Sequence, residues 1–120
     1  MTQEMSRTRV MFNDMLNFPR GKYVPIDVAA SGKIGFARGA FAVSYDRDLL
    51  PIPGCGVYDG LPDMELILDA ERRKGWQPGT EIALGDLHVD GEPFGLCPRS
   101  TLKRAVKDWE ALGLSPMVGL

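Results

Sequence analysis

The chain is poor in the residues that most often announce chemistry. It has two cysteines and one histidine in 120 residues. Cys55 and Cys97 stand far apart, with no CxxC spacing and no second histidine to join them. A zinc site is therefore not expected, and a disulfide scaffold needs more cysteines in so short a chain. Reduced thiols in a cytoplasmic protein are the expectation. No apolar run approaches the ~20 residues of a membrane span, so no membrane partner is expected. The opening Met1-Thr2-Gln3-Glu4 carries an acid and no apolar core, unlike a secretory signal. The basic excess that nucleic-acid binding requires is also missing, since the net charge is -2. Arg72-Arg73-Lys74 is the one basic run, and Gly75 after it marks a solvated turn. Neither internal repeats nor low-complexity tracts occur.

What remains is an ordinary globular composition, 44% hydrophobic and 25% charged, in a length that allows one domain with a modest core. Residues 1–8 are polar and read as a disordered lead, with the domain running from 9 to 120. Arg9 to Leu16 alternates, putting Val10, Phe12 and Leu16 on one side of a strand; Asp14 interrupts that side and implies a strand-end hydrogen bond or a function. Phe18-Pro19-Arg20-Gly21 signals a turn, and Lys22 to Pro25 a returning strand. Ile26 to Ser31 predicts a short helix closed by Gly32. A strand is predicted around Phe41–Tyr45, and residues 46–63, rich in Pro and Gly, form a long loop. Met64 to Leu68 is a further strand, and Ala70 to Lys74 a helical turn. Thr80 to Val89 is the strongest strand in the chain, with Asp90-Gly91 as a type I′ hairpin turn and Glu92 to Leu96 pairing back.

Pro98 suits a first helical position. Leu102, Ala105, Val106, Trp109 and Leu112 then mark one helical face up to Gly113. Ser115 to Gly119 looks like a strand just begun, which suggests a fragment of something longer. Trp76 and Trp109 read as core or interface anchors, and His88 as a packed strand residue. Arg99 and Ser100, in the first turn of the last helix, read as a cap and a structural ion pair. Phe18, Leu49, Leu50 and Ile52 would mark a subunit interface if they cluster.

The order of these pieces carries a resemblance. Pro19-Arg20-Gly21-Lys22, Val24-Pro25, a Gly-rich strand, Leu61-Pro62-Asp63 in a long loop, Gly85-Asp86-Leu87 in a strand and Cys97-Pro98-Arg99-Ser100 opening a helix together resemble the N-terminal domain of glutamine synthetases and their glutamate–amine ligase relatives. The likeness covers nearly all of the chain from Arg9. It implies an α+β, β-grasp-like fold, a small mixed sheet packed against a helix. It implies a ligase that uses ATP and Mg2+ to join glutamate to ammonia or an amine such as a polyamine. The catalytic domain of that family begins with a Glu-x-Glu strand beyond the point where Leu120 stands. This domain alone would then be inactive. Its partners would be the catalytic domain of a neighbouring subunit in a homo-oligomeric ring. The family's Phe-Asp-Gly-Ser-Ser loop falls near Phe36-Ala37-Arg38-Gly39-Ala40. Ala37 stands where an ammonium-binding Asp is expected, which leans toward a larger amine.

The loop from Ser44 to Glu65 holds Asp46, Asp48, Asp59, Asp63 and Glu65 against Arg47 alone. Carboxylates there could attract an ammonium cation and accept its proton. Asp46 and Asp63 are the catalytic candidates, at the amine entry; the competing reading is a solvated acidic loop. No cofactor-binding or metal-ligating residue is expected within this chain. The alternatives to the ligase domain are a freestanding β-grasp binding module and a catalytically dead regulatory homologue.

Overall fold

The computed structural model describes residues 4–120. Part of the lead expected to be disordered, Met1 to Gln3, lies outside the described residues. Arg7 and Thr8, placed in the same lead, instead belong to the first strand.

Among the described residues, seven strands and two α-helices follow in the order β1 (Arg7–Asn13), β2 (Pro19–Pro25), α1 (Ile26–Ala29), β3 (Lys33–Ala37), β4 (Asp63–Leu68), β5 (Arg73–Lys74), β6 (Thr80–Val89), β7 (Glu92–Pro93) and α2 (Pro98–Ala111). They form one mixed sheet with the order β2-β1-β6-β4-β3, and the short β5 and β7 both pair with β6. β1 and β6 run parallel at the centre, and the other ladders are antiparallel. This is the small α+β, β-grasp-like class that the resemblance implies.

Strand alternation sorts the side chains. Thr8, Val10 and Phe12 of β1, Ala83 and Leu87 of β6, and Met64 and Leu66 of β4 are buried on the inner face. Phe12 meets Phe36 edge-on at 5.0 Å and Phe41 at 6.1 Å, and Phe41 meets Phe94 edge-on at 5.2 Å. The sheet curls around this aromatic cluster, and Ala29 of α1 plugs it. Burying a side chain the size of Leu87 contributes about 1.5–3 kcal/mol.

β1 stops at Asn13 because Asp14 turns the chain. Its buried carboxylate accepts the N–H of Leu16 (2.9 Å) and Phe18 (3.0 Å), and the Nε–H of Arg20 (2.8 Å). The interruption at Asp14 is thus a strand-end hydrogen-bond set. Asn17 adopts φ 63° in the same turn.

The strand expected around Phe41–Tyr45 is a 3-10 turn over Arg38–Ala42, and the strand lies earlier, at β3. A helical turn buries the adjacent residues Phe41 and Ala42 together; a strand would point them to opposite faces. The bond from Arg38 N–H to Pro62 O (2.9 Å) holds the turn against the loop. The helical turn expected over Ala70–Lys74 is also replaced. Arg73 and Lys74 pair with Ile82 and Glu81. Gly75 N–H bonds Thr80 O at 3.0 Å, and a Cβ at Gly75 would sit 2.7 Å from that oxygen. The glycine thus allows a close approach that draws the segment into the sheet.

β6 spans the predicted residues, and Asp90 (φ 52°) and Gly91 (φ 81°) make the hairpin turn. β7 is shorter than expected. Past Pro93 the chain bends so that Phe94 N–H reaches Leu87 O (2.8 Å) and its ring enters the core.

α2 begins on Pro98 and is followed by Gly113 at φ 75°. Its contacts with the sheet come from its first two turns. The Arg99 guanidinium forks onto Asp69 (3.1 and 2.6 Å) and reaches Asp86 (3.2 Å), while Lys103 Nζ lies 2.5 Å from Asp86. The expected apolar face then runs into solvent: Leu102, Trp109 and Leu112 are 57%, 51% and 76% exposed. Ser115 to Gly119 is not a strand in this structure. None of the described helices is long and apolar enough to cross a membrane.

Candidate functional site

The outer face of the sheet at the β3–β4–β6 end gathers the acidic residues. Register sets the arrangement. Ala37 pairs with Asp63, Gly35 with Glu65, and Glu65 in turn with His88. Directly opposed residues of an antiparallel ladder project to the same side, with Cβ atoms about 4.5–5.5 Å apart. Asp63 and Glu65 are exposed while Met64 and Leu66 between them are buried, so both carboxylates rise from the outer face. Ala37 and Gly35 beside them are small and leave the space above β3 open. A shallow cavity of about 240 Å³ lies here, lined by Asp63, Glu65, His88 and Asp90 with Met64 and Val89.

Asp63 is fixed through its backbone. Arg38 Nε–H donates to Asp63 O at 2.8 Å, and the Arg38 guanidinium also reaches Gly54 O at 3.4 Å. The guanidinium thus ties the long loop to the start of β4, and the Asp63 carboxylate forms no ion pair among the described residues.

Asp46 stands elsewhere. It lies in an exposed turn closed by Ser44 N–H to Asp48 O (2.9 Å) and by Asp48 N–H to Ser44 Oγ (3.1 Å). It neither lines the cavity beside Asp63 nor bonds to any residue there. The two sequence candidates are therefore not brought into one described cavity. Asp59 serves the structure of the loop, which it stiffens by accepting Gly54 N–H (2.9 Å) and Gly56 N–H (3.3 Å) on its carboxylate. His88 and Asp90, which line the same cavity, come from β6 and its hairpin and were not candidates in the sequence. The available signal was the alternation within Thr80–Val89, which puts His88 on the outward set with Asp86.

Cys55 and Cys97 are free and buried, and burial pushes the Cys55 thiol up, against the opposing pull of the Arg38 charge. Phe18 and Tyr45 pack edge-on at 5.4 Å, and Leu49, Leu50, Val57 and Tyr58 line a separate exposed hollow. Ile52, grouped with Phe18, Leu49 and Leu50 in the sequence, instead packs against the core. Among the described residues no three His, Cys, Asp or Glu side chains converge to hold a metal ion.

No protein-family model matches the chain. It is 43% identical over 63 residues to a glutamine synthetase of Methanosarcina mazei, a match covering 48% of this chain and 14% of that protein. It is 40% identical over 57 residues to a glutamate–isopropylamine ligase of a Pseudomonas species, covering 45% of this chain and 12% of the relative. The chain thus matches about an eighth of each relative's length. Among solved structures, the ADP complex of GmaS superposes over 92% of this chain and 24% of its own, with TM-score 0.68 and 25% identity. A glutamine synthase homolog shares the fold over 93% of this chain and 28% of its own, with TM-score 0.71 and 19% identity. The domain-wide fold and the two local sequence matches agree, and both support a likeness to the N-terminal domain of the glutamine synthetase family.

Proposed function

We propose that this chain is the N-terminal domain of a ligase that joins glutamate to ammonia or an amine, and that its outer β3–β4 face forms part of the amine-binding wall. The domain is inactive alone. ATP and Mg2+ would serve a separate catalytic domain, and no step through them is assigned to residues of this chain. The apolar stripe of α2, left bare here, supports a domain built to pack on further protein. The neighbouring subunit's catalytic domain in a homo-oligomeric ring is the partner proposed for the amine wall. Two free buried thiols fit a reducing, cytoplasmic setting.

One observation carries the amine reading: Ala37 and Asp63 are cross-strand partners on the exposed face. Where the resemblance expects an Asp, a methyl group stands, and a carboxylate rises from the adjacent strand. An amine arriving as a cation is attracted to Asp63 and Glu65. The Asp63 carboxylate can accept its proton, leaving a neutral nitrogen free to attack an activated acyl group. The room above Ala37 and Gly35 favours an amine carrying an alkyl group over ammonia. Asp46, in its separate turn, is assigned to the approach path and not to the proton transfer.

The test uses the intact protein with glutamate, ATP, Mg2+ and a series of ammonia, isopropylamine and diamines. Asp63→Asn should raise KM for the amine about tenfold or more and lower kcat, while Asp46→Asn raises KM alone. Unchanged constants for both variants would remove the wall assignment. Failure with every amine would remove the ligase reading itself.

A further inference from the structure

The sequence contains one histidine, and it stands among the acids of the candidate cavity. Leu87 before it turns inward and is fully buried, so the His88 imidazole rises from the outer face of β6. On β4 the residue directly opposite is Glu65. At that spacing an imidazole and a carboxylate can meet across the ladder. On its other side Glu65 faces Gly35, which offers no side chain to the carboxylate. Asp63 lies two places from Glu65, and Asp90 two places from His88, and both line the same cavity.

The charges around the imidazole divide by element. Glu65 and Asp63 come from β4, and Asp86 and Asp90 from the His88 strand and its turn. β7 sets Pro93 opposite His88, with Glu92 beside it. α2 brings Arg99 and Lys103, but both are committed to Asp86, at 3.2 and 2.5 Å. Asp63, Glu65, Asp90 and Glu92 form no ion pair among the described residues. Among the described residues that line the cavity, His88 is the one side chain able to carry a positive charge.

Histidine is the side chain that changes charge between about pH 5 and 8. Neutral, His88 leaves the carboxylates to an arriving ammonium cation. Protonated, it is itself a cation opposite Glu65 and competes for the same carboxylate. We propose that His88 is the charge gate of the amine wall, open when the imidazole is neutral and closed when it is protonated and paired with Glu65. This inference rests on the amine-wall reading and adds the regulation of that site. His88 is a positioning residue here: it decides whether Glu65 is available and takes no part in the bond formed to the acyl carbon. Linkage demands the reverse effect too, so a bound alkylammonium opposes protonation of His88. The sign follows directly: as pH falls, capture of the amine weakens.

The experiment measures KM for ammonia, isopropylamine and 1,4-diaminobutane in the intact protein from about pH 8.5 to 5.5, with glutamate, ATP and Mg2+ saturating. His88→Gln fixes the gate open and His88→Lys fixes it closed. The ratio of the wild-type amine KM to that of His88→Gln should rise about fivefold as pH falls. The ratio to His88→Lys should approach one at the acid end, and KM for glutamate should follow neither. The ring signal that His88→Gln removes from the NMR spectrum reports the imidazole. At about pH 6.5, saturating amine should move that signal toward its neutral position. Glu65→Gln, at an exposed strand position, should flatten the wild-type profile and decides the matter if a His88 variant misfolds. Parallel profiles in wild type and His88→Gln, or a full pH response without Glu65, overturn the gate while Asp63→Asn still reports on the wall. If Asp63→Asn leaves every amine constant unchanged, or no amine is turned over, the wall falls and the gate with it.

Discussion

Arg99 grips Asp69 with both terminal guanidinium nitrogens, at 3.1 and 2.6 Å, and this fork is what fastens α2 to the sheet. The hydrogen bond to Arg99 is the main reason the Asp69 carboxyl is held below its ordinary range; burial opposes it. A carboxylate depressed in the folded state stabilises fully above its unfolded value, near pH 4, and loses that contribution as pH falls through the folded value. Thermal midpoints should therefore be flat with respect to this pair above about pH 5 and fall below about pH 4. Arg99→Met should flatten part of that acid slope. Both side chains are about a third exposed, so the pair contributes about 1 kcal/mol or less. An acid slope identical in wild type and Arg99→Met would contradict the assignment.

Asp14 is a different case, because it is buried and accepts three bonds at one strand end. Asp14→Ala strands two backbone N–H groups and the Arg20 cation, and should cost about 2–4 kcal/mol. Asp14→Asn keeps one acceptor oxygen and should lose about half as much. Urea unfolding of the three proteins decides it.

Gly85 lies where β6 passes β4 closely. A Cβ there would stand 2.2 Å from Ile67 O, backbone that cannot swing away. Gly85→Ala should destabilise by about 3 kcal/mol. It should also speed amide exchange in β4, next to the substitution, before the β1–β2 ladder. Protection lost evenly over the whole sheet would argue against this local origin.

The Cys55 and Cys97 thiols are buried. Their reaction with a disulfide reagent should be limited by opening of the fold, and should rise with denaturant in step with unfolding. Fast labelling of Cys55 in native buffer would show that the loop opens locally.

The sequence disclosed most where local chemistry is self-sufficient. Thr80–Val89, Asp90-Gly91 and the helix opening on Pro98 could each be read from neighbouring residues, because alternation, turn dihedrals and a missing proline N–H act over a few positions. β5 could not. Arg73 and Lys74 become a strand through their approach to Ile82 and Glu81, which a local reading does not contain. The misplaced strand near Phe41 has the same cause: Phe41 and Ala42 are buried by tertiary packing, which overrides the strand preference of Phe. At the candidate site, the individual acids were visible in the chain. Their grouping was not, since the register that sets Asp63 opposite Ala37 and Glu65 opposite His88 links distant segments. For the same reason Asp46, though close in sequence to the other loop acids, ends in a separate turn.

The parallel pairing of β1 with β6 joins residues 73 positions apart, such as Arg7 and Thr80. Closing so long a loop is entropically demanding and slows assembly relative to a fold of neighbouring hairpins. On the ribosome the central strand is still unmade while the first one waits, for several seconds at ordinary elongation rates. During that interval β1 can pair with β2 alone, and its second edge is open to any passing strand. The nascent chain is therefore most vulnerable to misassembly before residue 89 has left the exit tunnel.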